Sequence, residues 1–177
     1  MIIACDTSSV VCSVALSDKG SILWEKEASG GQIHIEKLSP FLKESLNYCR
    51  SIGEAPDTLA IAIGPGSFNG LRIGLATMKA LAVALEIPLI PIPTTDALAY
   101  GIQDQLSGIS RAVIYSHRNF VHYADYNDSL SNKIVTPEFN YGAWDQLHEQ
   151  HIDHYFGTAD RGFKTWLQGP EAIEVKS

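Results

Sequence analysis

"TLAIAIGPGSFNGLRIGLATMKALAVALE", Thr58 to Glu86, constrains this chain more than any other stretch. It opens with a continuous apolar run of strand length, the kind buried on both faces of a sheet. Glycines follow at Gly64, Gly66 and Gly70, and then a helical segment in which only Arg72, Lys79 and Glu86 clearly want solvent. On a helical wheel Leu71, Leu75, Met78 and Leu85 make one apolar stripe, and Ile73, Ala80 and Ala84 another. A helix apolar on nearly every side is covered on two sides. The sheet covers one stripe; the other is enclosed by the chain itself or covered by a second subunit.

The loop between strand and helix raises a chemical question. A P-loop reads G-x-x-x-x-G-K-[ST] and a dinucleotide fingerprint G-x-G-x-x-G, whereas Gly64, Gly66 and Gly70 give G-x-G-x-x-x-G with no lysine after it. Such a loop could still present N–H groups to an anion at the helix N-terminus. Alternatively Gly64, Pro65 and Gly66 make a tight turn, Ser67 or Asn69 caps the helix and Phe68 packs inward.

Around this core the elements follow one another plainly. "MIIACD" is an apolar run ending in an acid, "VCSVALS" alternates as a half-buried strand does, and "DKG" turns the chain into "SILWEKEA". The three strands form an antiparallel meander. From Gln32 to Arg50, Ile35, Leu38, Leu42, Leu46 and Cys49 recur on one helical face, with Pro40 in the first turns. After the central helix, "PLIPIP" is a short strand and "TTDALAYGI" a helix that Thr94 or Thr95 caps. The order β-β-β-α-β-α-β-α predicts a mixed α/β sheet with helices packed on it. Beyond "QDQLSG" the pattern restarts: "SRAVIYS", "FVHYADY" and "NKIVTPE" read as a second meander, "YGAWDQLHEQ" as a helix and "HIDHYFGTA" as a strand and turn. Two similar lobes in series suggest duplication, with boundaries at 1–101 and a shortened 102–177.

Charge and rare residues then narrow the chemistry. A net charge of −7 argues against a chain that holds nucleic acid by its own field. Cys5, Cys12 and Cys49 are odd in number and lack CxxC spacing, so reduced thiols serving as small core residues are expected. No apolar stretch approaches the ~20 residues of a membrane span, and a soluble, cytoplasmic protein without a membrane is expected. "CDTSS" puts Asp6, Thr7 and Ser8 at a strand end, where they either hold a metal-bound phosphate or satisfy turn backbone. His148, His151 and His154 recur every third residue but cross a helix-to-strand boundary, so no metal site is expected. His34 stands alone as a capping or surface residue. Ser116, His117 and Asp125 are triad residue types without a G-x-S-x-G elbow, so a hydrolase has little support.

Several segments together resemble one family. "GPGSFNGLRIG" is similar to the signature of the TsaB (YeaZ) family, and "IIACDTSSVVCSVAL" to its opening strand, loop and strand. "HIEKLSPFLKESL" resembles its first helix, "IAIGPG" the strand before the signature and "IPLIPIPTTDALA" the segment after it, so the match runs over most of Met1 to Gly101. Asn69 stands where the family usually has Thr. "YSHRNFVHY" stands where members tend to read "DARRGEVY", which leaves Arg118 and Val121 but places Tyr115 and Phe120 where acids are usual. The chain is also shorter than is usual for the family.

The resemblance implies two ribonuclease H-like lobes of the actin-like, heat-shock ATPase superfamily, with the second lobe reduced. It also implies a role in making threonylcarbamoyladenosine at position 37 of ANN-decoding tRNAs, as the noncatalytic partner of the metal-bearing paralogue TsaD. No catalytic, cofactor or metal residues are then expected on this chain, Asp6, Thr7, Gly64 and Gly66 being vestigial candidates. ATP and metal belong to partner subunits, among them a TsaE-type ATPase, and tRNA is reached only through the complex. The subunit interface is expected at Leu38, Leu42, Leu71, Gly74, Leu75, Ala76, Thr77 and Met78, pairing with itself in an isolated homodimer. Two other classes stay open. One is a glycoprotease-like peptidase or weak ATPase using Asp6, the glycine loop or the histidines; the other is a degenerate homologue kept only as a self-associating or regulatory protein.

Overall fold

The fold was analysed in a computed structural model, which describes residues 1–106, 108–126, 140–147 and 152–158. The alternation of the first strands sets the first sheet. β1 (Ile2–Asp6) pairs antiparallel with β2 (Val11–Asp18), which pairs antiparallel with β3 (Ser21–Ser29). On its other edge β1 runs parallel to β4 (Thr58–Ala62), and β4 parallel to β5 (Leu89–Ile92), giving the order β3-β2-β1-β4-β5. This is the mixed sheet predicted from the element order, and it agrees with the ribonuclease H-like lobe that the resemblance implies. With side chains alternating along each strand, the register brings Ile3, Cys5, Val14, Leu16, Leu59 and Ile61 onto one face. α1 (Ile33–Ser51) and α2 (Phe68–Leu85) close that face into one core with Leu38, Phe41, Leu42, Cys49 and Met78.

Local expectations are corrected in four places. Ile35 is exposed, and the buried stripe of α1 runs instead through Leu38, Phe41, Leu42, Ser45 and Cys49. Pro40 lies inside α1, two turns from its start, so the carbonyl four residues before it has no helical N–H partner. Phe68 is 71% exposed, with the Arg72 guanidinium over its ring at 5.2 Å, rather than packed inward. Pro93 precedes α3 (Thr94–Gly101) without a side-chain cap, and Thr94 and Thr95 are buried in its first turn. Ser67 does cap α2, accepting the Gly70 N–H at 3.3 Å.

The chain divides into two compact units, Met1–Ile92 and Pro93–Ser177, rather than after Gly101. The reason is α3, whose Ala99 joins Ile102, Ala112, Ala124, Tyr126 and Phe156 in a core of the second unit. The Tyr126 hydroxyl donates to the buried Asp96 Oδ1 at 2.7 Å and ties this helix to its sheet. That sheet has the order β8-β7-β6-β9, with β6 (Ser110–His117), β7 (Phe120–Tyr126), β8 (Asn140–Ala143) and β9 (His154–Thr158). β6, β7 and β8 are antiparallel neighbours, and β9 runs parallel to β6. "NKIVTPE" lies outside the described residues, and Tyr141, Gly142 and Ala143 are strand, so only Trp144–Leu147 (α4) of the expected helix is helical among the described residues. Trp144 and Leu147 pack with Val113, Val121 and Tyr155 in a second cluster.

Candidate functional site

The loop after β1 and the start of α2 meet through three glycines. Gly66, Gly70 and Gly74 repeat at four-residue spacing, which puts Gly70 and Gly74 on one side of α2. A β-carbon at Gly66 would collide with the Ser8 carbonyl oxygen, one at Gly70 with the Thr7 carbonyl oxygen, and one at Gly74 with the Thr7 hydroxyl. Only glycine lets the helix approach the "DTSS" backbone so closely. The contact is then hydrogen-bonded: the Ser67 N–H donates to the Ser8 carbonyl at 2.6 Å.

Several polar groups of the loop are engaged locally. Asp6 Oδ1 accepts the Ser8 N–H at 2.7 Å, an Asx turn that satisfies the loop's own backbone. Ser9 Oγ accepts the Val11 N–H at 3.1 Å. Thr7 is fully buried, its hydroxyl pressed against Gly74 without a hydrogen-bond partner. Gly64, at φ +105°, makes the turn out of β4 and faces Leu71. Asp6 is thus engaged within its own loop, and Thr7 and Ser8 lie against the glycines of α2 and the turn before it.

His34 holds the same junction from a third side. Its Nε2 lies 3.0 Å from the Ser9 carbonyl oxygen, so that nitrogen is the donor, and its ring borders Gly70. It is therefore neither a cap nor a free surface residue. The stretch before it gave no signal, because the bond depends on where the first loop lies.

The expected interface residues divide by burial. Leu38, Leu42, Gly74 and Met78 are core residues of their own unit, so the expectation that they line a docking surface is corrected: the sheet already covers them. Leu71, Leu75 and Thr77 are half-buried, and Ala76 is exposed. The outer side of α2 carries Phe68, Arg72, Ala76, Ala80, Val83 and Ala84, with Val83 79% exposed. By length and composition the 18-residue α2 would suffice to cross a membrane, which corrects the expectation that no apolar stretch approaches that length; Gly70, Gly74 and Met78 are its buried residues.

No hydrolytic or metal constellation assembles among the described residues. Ser116 Oγ and His117 Nδ1 are 3.1 Å apart, but both oxygens of Asp125 are held by Arg111, at 2.6 Å from Nε and 2.7 Å from Nη2. His148 and His151 lie outside the described residues, and His154 opens β9. No group of three or more described His, Cys, Asp or Glu residues is placed to hold a metal ion. Cys5, Cys12 and Cys49 are buried and free, and burial pushes all three thiols above their usual range.

One cluster is legible in the sequence only in part. The rings of His117, Phe120, His122 and Tyr141 gather on the β6–β7–β8 hairpins. Phe120 and His122 share a strand face by alternation, which sequence can show, but Tyr141 joins them only through the β7–β8 register that sets it opposite His122.

Comparison with known proteins agrees with this architecture. The family model described as TsaD, tRNA N6-adenosine threonylcarbamoyltransferase, matches residues 26–126, more than half of the chain. A tRNA threonylcarbamoyladenosine biosynthesis protein TsaB from Escherichia coli (strain K12) is 27% identical over 175 residues, covering 93% of this chain and 73% of its own. The protein of the same name from Bacillus subtilis (strain 168) is 28% identical over 182 residues, covering 92% and 78%. The solved structure of YeaZ from Pseudomonas aeruginosa superposes with a TM-score of 0.74 at 23% identity, covering 99% of this chain and 83% of that one, which shows a shared fold. With its glycine-sealed first loop, its two sheets and these matches, the chain belongs to the TsaB (YeaZ) family.

Proposed function

We propose that this chain serves tRNA threonylcarbamoyladenosine biosynthesis as a noncatalytic subunit, docking the TsaD paralogue that transfers the threonylcarbamoyl group to adenosine 37. Membership of the family supports the pathway. The observation that carries the subunit role is the two-sidedness of α2. Its inner side seals the first loop through Gly70 and Gly74, while its outer side leaves Phe68, Ala76, Ala80 and Val83 in water. Association removes that strip from water at about 25 cal/mol per Å² of apolar surface, and the small alanines let a partner helix come close. In this reading the same strip pairs two copies of the isolated chain. ATP and metal chemistry fall to the paralogue and a TsaE-type ATPase, tRNA arrives through the complex, and the assembly works in the cytoplasm.

The test is co-expression with the TsaD paralogue of the same organism. Ala80→Glu and Val83→Glu place a charge on the outer strip without touching the core. Both are expected to fold, by circular dichroism, and to weaken paralogue binding and self-association by about tenfold or more, through the cost of desolvating an unpaired charge. Retention of both associations by both variants would put the interface elsewhere.

A further inference from the structure

The ring cluster of the second unit has a geometry that ordinary surface packing does not demand. Phe120 and Tyr141 stack with centroids 5.3 Å apart and planes only 9° from parallel. His117 continues the array over Phe120 at 5.7 Å and 23°, and His122 tilts against Tyr141 at 5.0 Å. Phe120 is 36% and Tyr141 49% exposed, so the array is open to water. Offset stacking is one of the two arrangements aromatic rings prefer, and an exposed ring face can take a base in the same way.

A guanidinium and a carboxylate both stand at the turn beside the array. The turn joining β6 to β7 is Arg118 and Asn119, and Arg118 adopts φ +54°, a conformation that non-glycine residues seldom take. Its side chain is exposed and has no ion pair among the described residues. Asp145, in α4, reaches the same turn and accepts from Asn119 Nδ2 at 2.8 Å. Asp125 lies at the far end of β7, alternates to the opposite face and is held by Arg111. In a chain of net charge −7, this edge thus sets the exposed Arg118 on the turn between the stacked rings of His117 and Phe120.

We infer that the His117–Phe120–Tyr141 array is a stacking platform for an unpaired base of single-stranded or looped RNA, with Arg118 meeting the adjoining phosphate. Rings that stack bases and a cation that follows the backbone are the two components of sequence-tolerant recognition of unpaired nucleic acid. The inference rests on the proposed role in tRNA modification only for the source of that RNA, a tRNA loop; the ring geometry and charge stand without it. A platform of three rings with one arginine gives a weak contact that counts inside an assembly.

The experiment titrates the full chain, at low salt, into a fluorescent RNA hairpin with an unpaired loop and into a fully paired RNA with the same number of phosphates. The hairpin is expected to bind about fivefold or more tightly than the paired RNA, the lower end of what one stacked base contributes. Phe120→Ala and Tyr141→Ala, checked for folding by circular dichroism, should abolish that preference, Tyr141→Phe should keep it, and Arg118→Glu should weaken binding to the hairpin without truncating any ring. Equal affinity for the two RNAs, or a preference unmoved by Phe120→Ala and Tyr141→Ala, overturns the inference. So does loss of the paralogue rather than of RNA in those variants, the result expected of a protein-docking face. Because RNA binding is read on this chain alone, failure here leaves the α2-mediated subunit role standing, and the outer-strip variants of α2 test that role separately.

Discussion

Cys5 and Cys12 lie on adjacent strands of one buried sheet face, and Cys49 fills the end of α1 against the same core. Each thiol is pushed up by burial, which disfavours the thiolate that reacts. At neutral pH the folded protein should therefore show no fast reaction with an aromatic disulfide reagent, and all three thiols should react together once denaturant is added. A rapid native-state equivalent would mean that one of these strands or the end of α1 opens locally. This role was legible in the sequence, because a cysteine at an alternating or helical core position behaves as a small hydrophobe whatever its neighbours. Asp6 was legible only as a choice between ligand and turn. The structure shows the turn, through the Ser8 N–H donating to Asp6 Oδ1 at 2.7 Å, a bond within one short loop. Phe68 is not packed inward as expected, because a wheel cannot say which way the first turn of a helix faces; the Arg72 guanidinium lies over its ring at 5.2 Å.

At the scale of the element, α2 is built around a seam rather than a stripe. Its buried residues are Gly70, Gly74 and Met78, and the two glycines are absences that admit the Thr7 backbone and hydroxyl. Gly70→Ala isolates the effect. Alanine favours the helix by about 1 kcal/mol, yet its β-carbon would strike a backbone oxygen that a rigid strand end presents. Overpacking of this kind costs about 1–3 kcal/mol, so the net change should be a lower urea midpoint, with the m-value unchanged. An unchanged or raised midpoint would show that the loop after β1 yields freely. The glycine spacing was visible from the start, but not its meaning. Glycines in a loop before a helix serve an anion or a close backbone contact equally well, and only the neighbour brought against them separates the two.

For the molecule as a whole, net charge and the division into units matter most. Excess acid leaves few counterions for the chain to displace from RNA, so intact tRNA should bind this chain alone more weakly than about 1 µM at roughly 0.15 M salt. Gel-shift or anisotropy titration checks this, and submicromolar binding without partners would contradict it. Local platform and weak overall affinity are compatible, since stacking at one hairpin does not offset repulsion spread over the surface. The sequence by itself determined the two sheets, the order of strands and helices through the first hundred residues, the buried thiols and the family, because period-2 and period-3.6 patterns and a long signature are local properties of the chain. Only the tertiary structure decided that α3 joins the second unit, that Leu38, Leu42, Gly74 and Met78 are core rather than interface, that the glycine loop is sealed by Thr7 and Ser8, and that Tyr141 completes a ring stack with Phe120. Each of these depends on which residues distant in the chain come within a few ångströms, and periodicity carries no information about that.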